Sequence, residues 1–355
     1  MEMISVKKKL RIGWQTGMTY QAPKPMDKDY LFCLLDRMAE NGMNFLSIMP
    51  ESMGRFDPSH DGICWPTDNA RLLSLQDKLS PNSYWETEFL SEGINYAKSL
   101  GIDVNIMLHW HMVNHERLLK VYPDIGKSAG IDNLDLYKTC CSKNSSMLNY
   151  FLELLADVCQ LYAKNGIHSI TVEGPFAEWC GSCLSCLRWY EQTTGTQNPN
   201  ENMRILADNL KMRDILKKIS ATIKSTSPSV EFWVHSGPWS KRGHQPDTLL
   251  KGGVDCLMNY FCHDLYEPEA MSSIMDFVNP LPCCPQTCVR DKATNNYFVK
   301  TKTPEDAGRY ARSILETVEK APNGIGAVFF NEIYLSEANR TAVYDECGRY
   351  VKDRI

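Results

Sequence analysis

The stretch ITVEGPFAEWCGSCLSC places three cysteines, Cys180, Cys183 and Cys186, shortly after a glutamate, Glu173, that closes an apolar run. Cysteines spaced in this way across a loop and a first helical turn can turn their sulfurs onto one cation, and zinc takes four thiolate or imidazole ligands in a tetrahedron. The fourth ligand has to come from elsewhere. KTCCSKNSS supplies Cys140 and Cys141 just ahead of the helical pattern that leads into the strand of Glu173, and either sulfur could complete the set. With all four positions filled by protein, such a zinc would be structural and would hold the loop that comes after Glu173. The plainer alternative is a group of reduced, partly buried thiols. Cys33 and Cys159, set inside apolar helical patterns, are expected to be small core residues.

Glu173 is one of several polar or aromatic residues that end apolar runs. In chain order these ends carry Trp14 and Gln15, then Glu51, then His109, Trp110 and His111, then Glu173. His235 is next, with Trp239 close behind. Then come Asn259 and Tyr260, trailed by His263, Asp264 and Glu267, and finally Asn331 and Glu332. Carboxylates among tryptophans and histidines suit chemistry on sugars. Cleaving a glycosidic bond takes one carboxyl group as acid and another as nucleophile or base. Aromatic rings stack on the apolar faces of sugars, while His, Asn and Gln bond the hydroxyls.

Glu173 and Glu332 come after strongly apolar runs and form the first candidate pair; Glu267 and Asp264 are the second choice as partner. Trp14, Gln15, Glu51, His109, His111, His235, Trp239 and Tyr260 are the candidate substrate contacts. Each has a bland alternative: an ion pair, a solvated loop residue, or packing. His109 and His111 alternate, so on a strand they share a face. With a thiolate they could instead hold an open-site zinc for lyase or group-transfer chemistry. A barrel that binds carbohydrate without cleaving it is a third expectation.

Eight apolar runs must position these residues: LRIGWQ, FLSIMP, DVNIMLHW, SITVEG, EFWVHS, DCLMNYF, NPLPCCP and GAVFFNE. The seventh is poor strand material, because Pro280, Pro282 and Pro285 lack a backbone donor. Amphipathic helical patterns separate the runs, among them KDYLFCLLDRMAENG, WETEFLSEGINYAKSLG, SSMLNYFLELLADVCQLYAKNG and TPEDAGRYARSILETVEK. The last opens with Thr303 as cap and Pro304 at the first helical position. The recurring order of helix, glycine and apolar strand (LGIDVNIML, NGIHSITVE) predicts an α/β protein with parallel strands. An open doubly wound sheet would give a similar rhythm, but it usually carries a glycine-rich phosphate loop after an early strand, and none is present. The prediction is a (β/α)8 TIM barrel, one domain over residues 1–355, with loop insertions at the C-terminal face, where such barrels keep their sites.

Bulk composition agrees with an ordinary globular chain: of 355 residues, 43% are hydrophobic and 23% charged. A net charge of -5, with basic residues scattered except for Lys7, Lys8 and Lys9, gives no footprint for nucleic acid or anionic membrane. No apolar run has the length of a membrane span, and MEMISVKKKL lacks a signal core, so a cytoplasmic location is expected. In that setting the fourteen cysteines read as reduced thiols and a metal site rather than as a disulfide frame. Homo-oligomerisation is an open expectation.

The region from Cys140 to about Gly195 resembles the corresponding part of the glycoside hydrolase family 42 β-galactosidases and of the hypothetical glycoside-hydrolase-like barrels. The pieces that carry the resemblance are CCSKNSSMLNY, LYAKNGIHSITVEGP, CGSCLSC and LRWYEQTTG, roughly a sixth of the chain. The resemblance implies a barrel glycosidase whose cysteine knot binds zinc and shapes one wall of the active site. Two departures stand out. Cys180 and Cys183 are separated by two residues where the family has one. The Asn-Glu pair that the β-galactosidases carry at strand four, with that glutamate as acid/base, is absent there, and Asn331-Glu332 ends strand eight instead. The α-L-fucosidase-like barrels carry a nucleophilic carboxylate at strand four, which would make Glu173 the nucleophile.

Overall fold

Eight strands pair in chain order and close on themselves, each parallel to its neighbours. They are β1 (Arg11–Gly17), β2 (Phe45–Met49), β3 (Asp103–His109), β4 (Ser169–Glu173), β5 (Glu231–Ser236), β6 (Cys256–Phe261), β7 (Gln286–Cys288) and β8 (Gly326–Phe330). β1 joins β8 through Arg11 and Gly326 and joins β2 through Gly13 and Phe45, which completes the circle. The computed structural model describes residues 9–17, 26–52, 62–76, 89–111, 115–130, 136–236, 243–261, 268–289, 302–330 and 332–354. The fold is the (β/α)8 barrel expected from the helix–strand rhythm.

The seventh strand lies later than NPLPCCP. In that run only Cys283 makes ladder-like bridges, to Leu257 and Gly324, and the regular strand begins at Gln286. The prolines explain the shift, because a ring nitrogen cannot donate to a ladder.

Between the strands run the amphipathic helices. They include α1 (Lys28–Glu40), α2 (Leu90–Ser99), α3 (Ser145–Tyr162), α4 (Leu184–Thr194), α5 (Glu201–Thr226), α6 (Pro304–Lys320) and α7 (Glu337–Lys352). Asn144 caps α3 through Ser146 N and Met147 N, and Thr303 caps α6 through Asp306 N. The glycine before a strand is a backbone requirement. Gly101 holds φ at 73° with open space around it, and Gly166 holds φ at 81°, so each chain reversal uses the left-handed region that side chains disfavour. No helix among the described residues is long and apolar enough to cross a membrane.

Two-residue alternation separates two interiors. Side chains such as Ile12, Leu46, Ile106, Ile170 and Val234 pack outward against the helices in the main core. The opposite face fills the barrel itself. Phe45, Trp233, Cys256, Met258, Cys284 and Val328 form a separate cluster there, with the Phe45 and Trp233 rings stacked at 5.2 Å. On the β2–β4 side the filling is polar: Ser47 Oγ donates to Asn105 Oδ1 (2.8 Å), and Asn105 Nδ2 donates to Ser169 Oγ (2.8 Å) and Thr171 Oγ1 (2.9 Å). These groups are fully buried and mutually satisfied, which is what makes a polar layer tolerable in a core.

Candidate active site

Register brings three of the expected site residues side by side. His109 of β3 pairs with Glu173 of β4, and Glu173 with His235 of β5, so all three stand at one level at the C-terminal rim with side chains on the inner face. Glu173 Oε2 lies 3.2 Å from His109 Nε2 and 3.2 Å from His235 Nδ1. Its side chain keeps 20% exposure, whereas those of His109 and His235 keep 2% and 3%. The carboxylate is thus the member of the trio that opens to the barrel mouth.

The chain of contacts runs on at both ends. Directly after β2, Glu51 and Ser52 pair antiparallel with Gly62 and Ile63. This short ladder turns Glu51 inward, where its Oε2 accepts from His109 N (2.9 Å) and meets His109 Nδ1 (2.8 Å). On the far side His235 Nε2 lies 2.6 Å from Gln286 Oε1 of β7. Burial would lower the His109 pKa, but the flanking Glu173 and Glu51 outweigh it and raise it to about 9. Burial would raise Glu173, yet His109 first and His235 next hold it well below the usual carboxylate range. Burial pushes Glu51 up, against the pull of His109.

The four cysteines converge as the spacing implies. The sulfurs of Cys141, Cys180, Cys183 and Cys186 all lie within 4.8 Å of one another, and all four residues are buried. Cys141 and Cys186 are 3.4 Å apart and Cys186 and Cys180 3.7 Å. Disulfide sulfurs sit at about 2.05 Å. A tetrahedron of ~2.3 Å metal–sulfur bonds has edges of about 3.8 Å. The donor set therefore fits a metal ion such as zinc, with every position taken by protein. Cys141 rather than Cys140 completes it. Cys140 faces away, with Sγ 3.5 Å from His115 Nε2 and its carbonyl accepting from Trp110 Nε1 at 2.9 Å.

Lys143 joins this cluster to the loop that leaves Glu173. Its backbone N donates to Cys141 Sγ (3.4 Å), while its Nζ donates to Ala177 O (2.7 Å) and pairs with Asp208 of α5 at 2.8 Å. Both charged side chains are completely buried. Tyr190 of α4 donates to the same Asp208 oxygen (3.0 Å), so two helices and the loop meet at one ion pair.

Other expected residues sit differently. Trp14 faces outward from β1, fully buried against Phe329 and Tyr344. It is a packing residue and not a sugar platform, since a platform must offer a ring face to the mouth. Glu51 is fully buried behind His109 and offers no surface to a substrate. Glu332, 2% exposed, accepts from Tyr30 OH (2.6 Å) and from Arg340 Nη1 (2.7 Å), bound to α1 and α7 rather than to Glu173. Gln15 does reach the inner face. Its Nε2 points at the sulfurs of Met49 (3.1 Å) and Met107 (3.2 Å), and its buried Oε1 has no hydrogen-bond partner among the described residues. His111 stands beside His109, ring centroids 6.0 Å apart, and is half-buried. Trp239, His263, Asp264, Glu267 and Asn331 lie outside the described residues, as does the side chain of Tyr260.

The geometry gives no support to an open zinc site on His109 and His111. Both ring nitrogens of His109 face carboxylates, and among the described residues the cysteine group is the one convergence of three or more metal-type side chains. Sequence reasoning missed Gln286 because placing the seventh strand too early put it beyond the strand end. Lys143 and Asp208 carried no sequence signal, since their pairing depends on how α5 packs.

No family model and no curated protein matches the chain by sequence. Solved structures do match by shape. α-L-Fucosidase isoenzyme 2 from Paenibacillus thiaminolyticus superposes with a TM-score of 0.62 at 13% identity, over 98% of this chain and 49% of that one. The PgaB (BpsB) glycoside hydrolase domain from Bordetella bronchiseptica gives 0.65 at 12%, over 95% and 99%. A β-galactosidase from the Antarctic haloarchaeon Halorubrum lacusprofundi gives 0.65 at 10%, over 96% and 58%. The chain thus spans about half of the fucosidase and nearly all of the Bordetella domain. At such identities the likeness is one of fold: the chain is built as a (β/α)8 barrel, as they are.

Proposed function

We propose that the protein is a glycoside hydrolase in which Glu173 is the ionised carboxylate of the reaction. One observation carries the reading: a glutamate at the C-terminal end of β4, open to the barrel mouth, is gripped by histidines from both neighbouring strands. A carboxyl group kept ionised in this way suits a nucleophile or a base and not the acid. The acid then falls to another carboxyl group. Asp264 or Glu267, in the segment after β6, is preferred over Glu332, because both oxygens of Glu332 are engaged by Tyr30 and Arg340. Gln15, His111, Trp239 and Tyr260 would contact the sugar, a carbohydrate being the substrate class. Zinc on Cys141, Cys180, Cys183 and Cys186 would be structural. The fold neighbours support the reading, their printed names being those of glycosidases and a glycoside hydrolase domain.

The test is turnover of a panel of aryl glycosides by the wild-type chain and by Glu173→Gln. Turnover of at least one glycoside that disappears in the variant, with calorimetric sugar binding retained, is the expected result. Full activity in Glu173→Gln removes that residue from the reaction. Binding without turnover in both proteins would instead mean a carbohydrate-binding barrel.

A further inference from the structure

Glu51 is a carboxylate with no exposed surface, and its Oε2 takes two hydrogen bonds from one residue, from the backbone N and the ring Nδ1 of His109. The other ring nitrogen of His109 meets Glu173. Burial pushes the Glu51 carboxyl up, while the two His109 contacts on its Oε2 pull the other way and favour the carboxylate, which can only accept hydrogen bonds. A ring set between two carboxylates must donate from both nitrogens, and only the imidazolium does so. We propose that Glu51 is a positioning residue, acting through His109 to keep an imidazolium aimed at Glu173 so that Glu173 remains anionic and fixed at the rim. This rests on the reading of Glu173 as the reacting carboxylate.

Titratable groups reach the ring from several elements. Glu51 comes from the turn after β2, Glu173 from β4, and His235 from β5, beyond Glu173. His111 lies on the same segment as His109. Tyr150 of α3 lies near Glu51, its hydroxyl pushed far up, first by burial and then by that charge. Glu173 first and Glu51 next raise the His109 pKa, against burial. With both present the ring stays charged up to about pH 9. Replacing Glu51 by Gln removes one of the two anions. His109 should then lose its proton near neutrality, and Glu173 should lose its cationic neighbour over the same range.

Two measurements on the full chain test this. In the first, the His109 ring is titrated by NMR in wild type, Glu51→Gln and Glu51→Asp. The expected result is a high wild-type pKa that falls by about one unit or more in Glu51→Gln and recovers in Glu51→Asp. In the second, kcat/KM is measured against pH. The alkaline limb should move down by the same amount in Glu51→Gln, with kcat reduced about tenfold at pH 8 and KM nearly unchanged. A wild-type ring that titrates near 6.5, or a Glu51→Gln titration identical to wild type, overturns the proposal. The wild-type titration decides even if the Gln variant does not fold. The NMR result is independent of turnover, so loss of the glycosidase reading would be seen separately, in the Glu173→Gln assay.

Discussion

Two glutamates close apolar strands of this barrel, and they have opposite surroundings. Glu173, at the end of β4, meets histidines from β3 and β5 and keeps an open face at the mouth. Glu332, just past β8, starts a short 3-10 turn, and both of its oxygens are taken by Tyr30 of α1 and Arg340 of α7. The supports behind them differ too. The loop after Glu173 is held by Lys143 and by the cysteine cluster, whereas Glu332 is itself the tie between two helices. A strand-end carboxylate therefore acquires its role from where the chain goes next. A loop pinned from behind leaves the group free to face a ligand, while a turn toward the helices commits both oxygens to structure.

Exchanging each glutamate for glutamine should separate the two most strongly. Glu173→Gln should lower turnover about 10³-fold or more in a protein that still folds, measured by steady-state kinetics beside calorimetry. Removing the metal comes next in size. Wild-type chain should carry one zinc, read by elemental analysis, and Cys183→Ser should lose it together with several kcal/mol of stability in a urea titration. Zinc content and stability unchanged in that variant would break the idea that the cluster braces Glu173. Glu332→Gln leaves Arg340 without its partner in a nearly buried site and should cost roughly 3 kcal/mol, while specific activity of the folded protein stays within about tenfold of wild type. A large kcat loss with intact stability would move Glu332 into the catalytic pair.

The smallest expected effect is the pH dependence of stability around Glu173. His109 is raised on folding from 6.5 to about 9, so its contribution is complete below 6.5 and is lost as pH rises through about 9. Glu173 is lowered from 4.5, so its contribution is present above 4.5 and is lost as pH falls through its depressed value. Wild-type stability should therefore hold a plateau between these limits and decline on the alkaline side. Glu173→Gln should flatten both edges, as checked by chemical denaturation across pH. Glu332→Gln should leave both unchanged.

Much of the site was visible in the chain because strands of a parallel barrel end on one rim. The last residues of each apolar run are enough to gather His109, Glu173 and His235 in one place. Trp14 was misjudged because a strand end says nothing about which face a side chain takes, and one residue of parity separates Gln15 inside from Trp14 outside. Gln286 was hidden because the run NPLPCCP reads as the seventh strand, while its prolines delay the regular ladder to Gln286. The spacing of Cys180, Cys183 and Cys186 announced a ligand set, but it left Cys140 and Cys141 equivalent until α3 turned one of them toward the cluster.

Local properties were therefore written in the amino-acid order: alternation, helix caps, glycines at left-handed positions, and cysteines spaced for a common centre. These depend on neighbours a few residues apart, so periodicity and residue type suffice. Which carboxylate faces the mouth, which is bound to a helix, and that Glu51 stands behind His109 depend on register and on contacts between residues far apart in the chain. Such contacts exist only once the barrel has closed, because closure sets how each strand is displaced against the next.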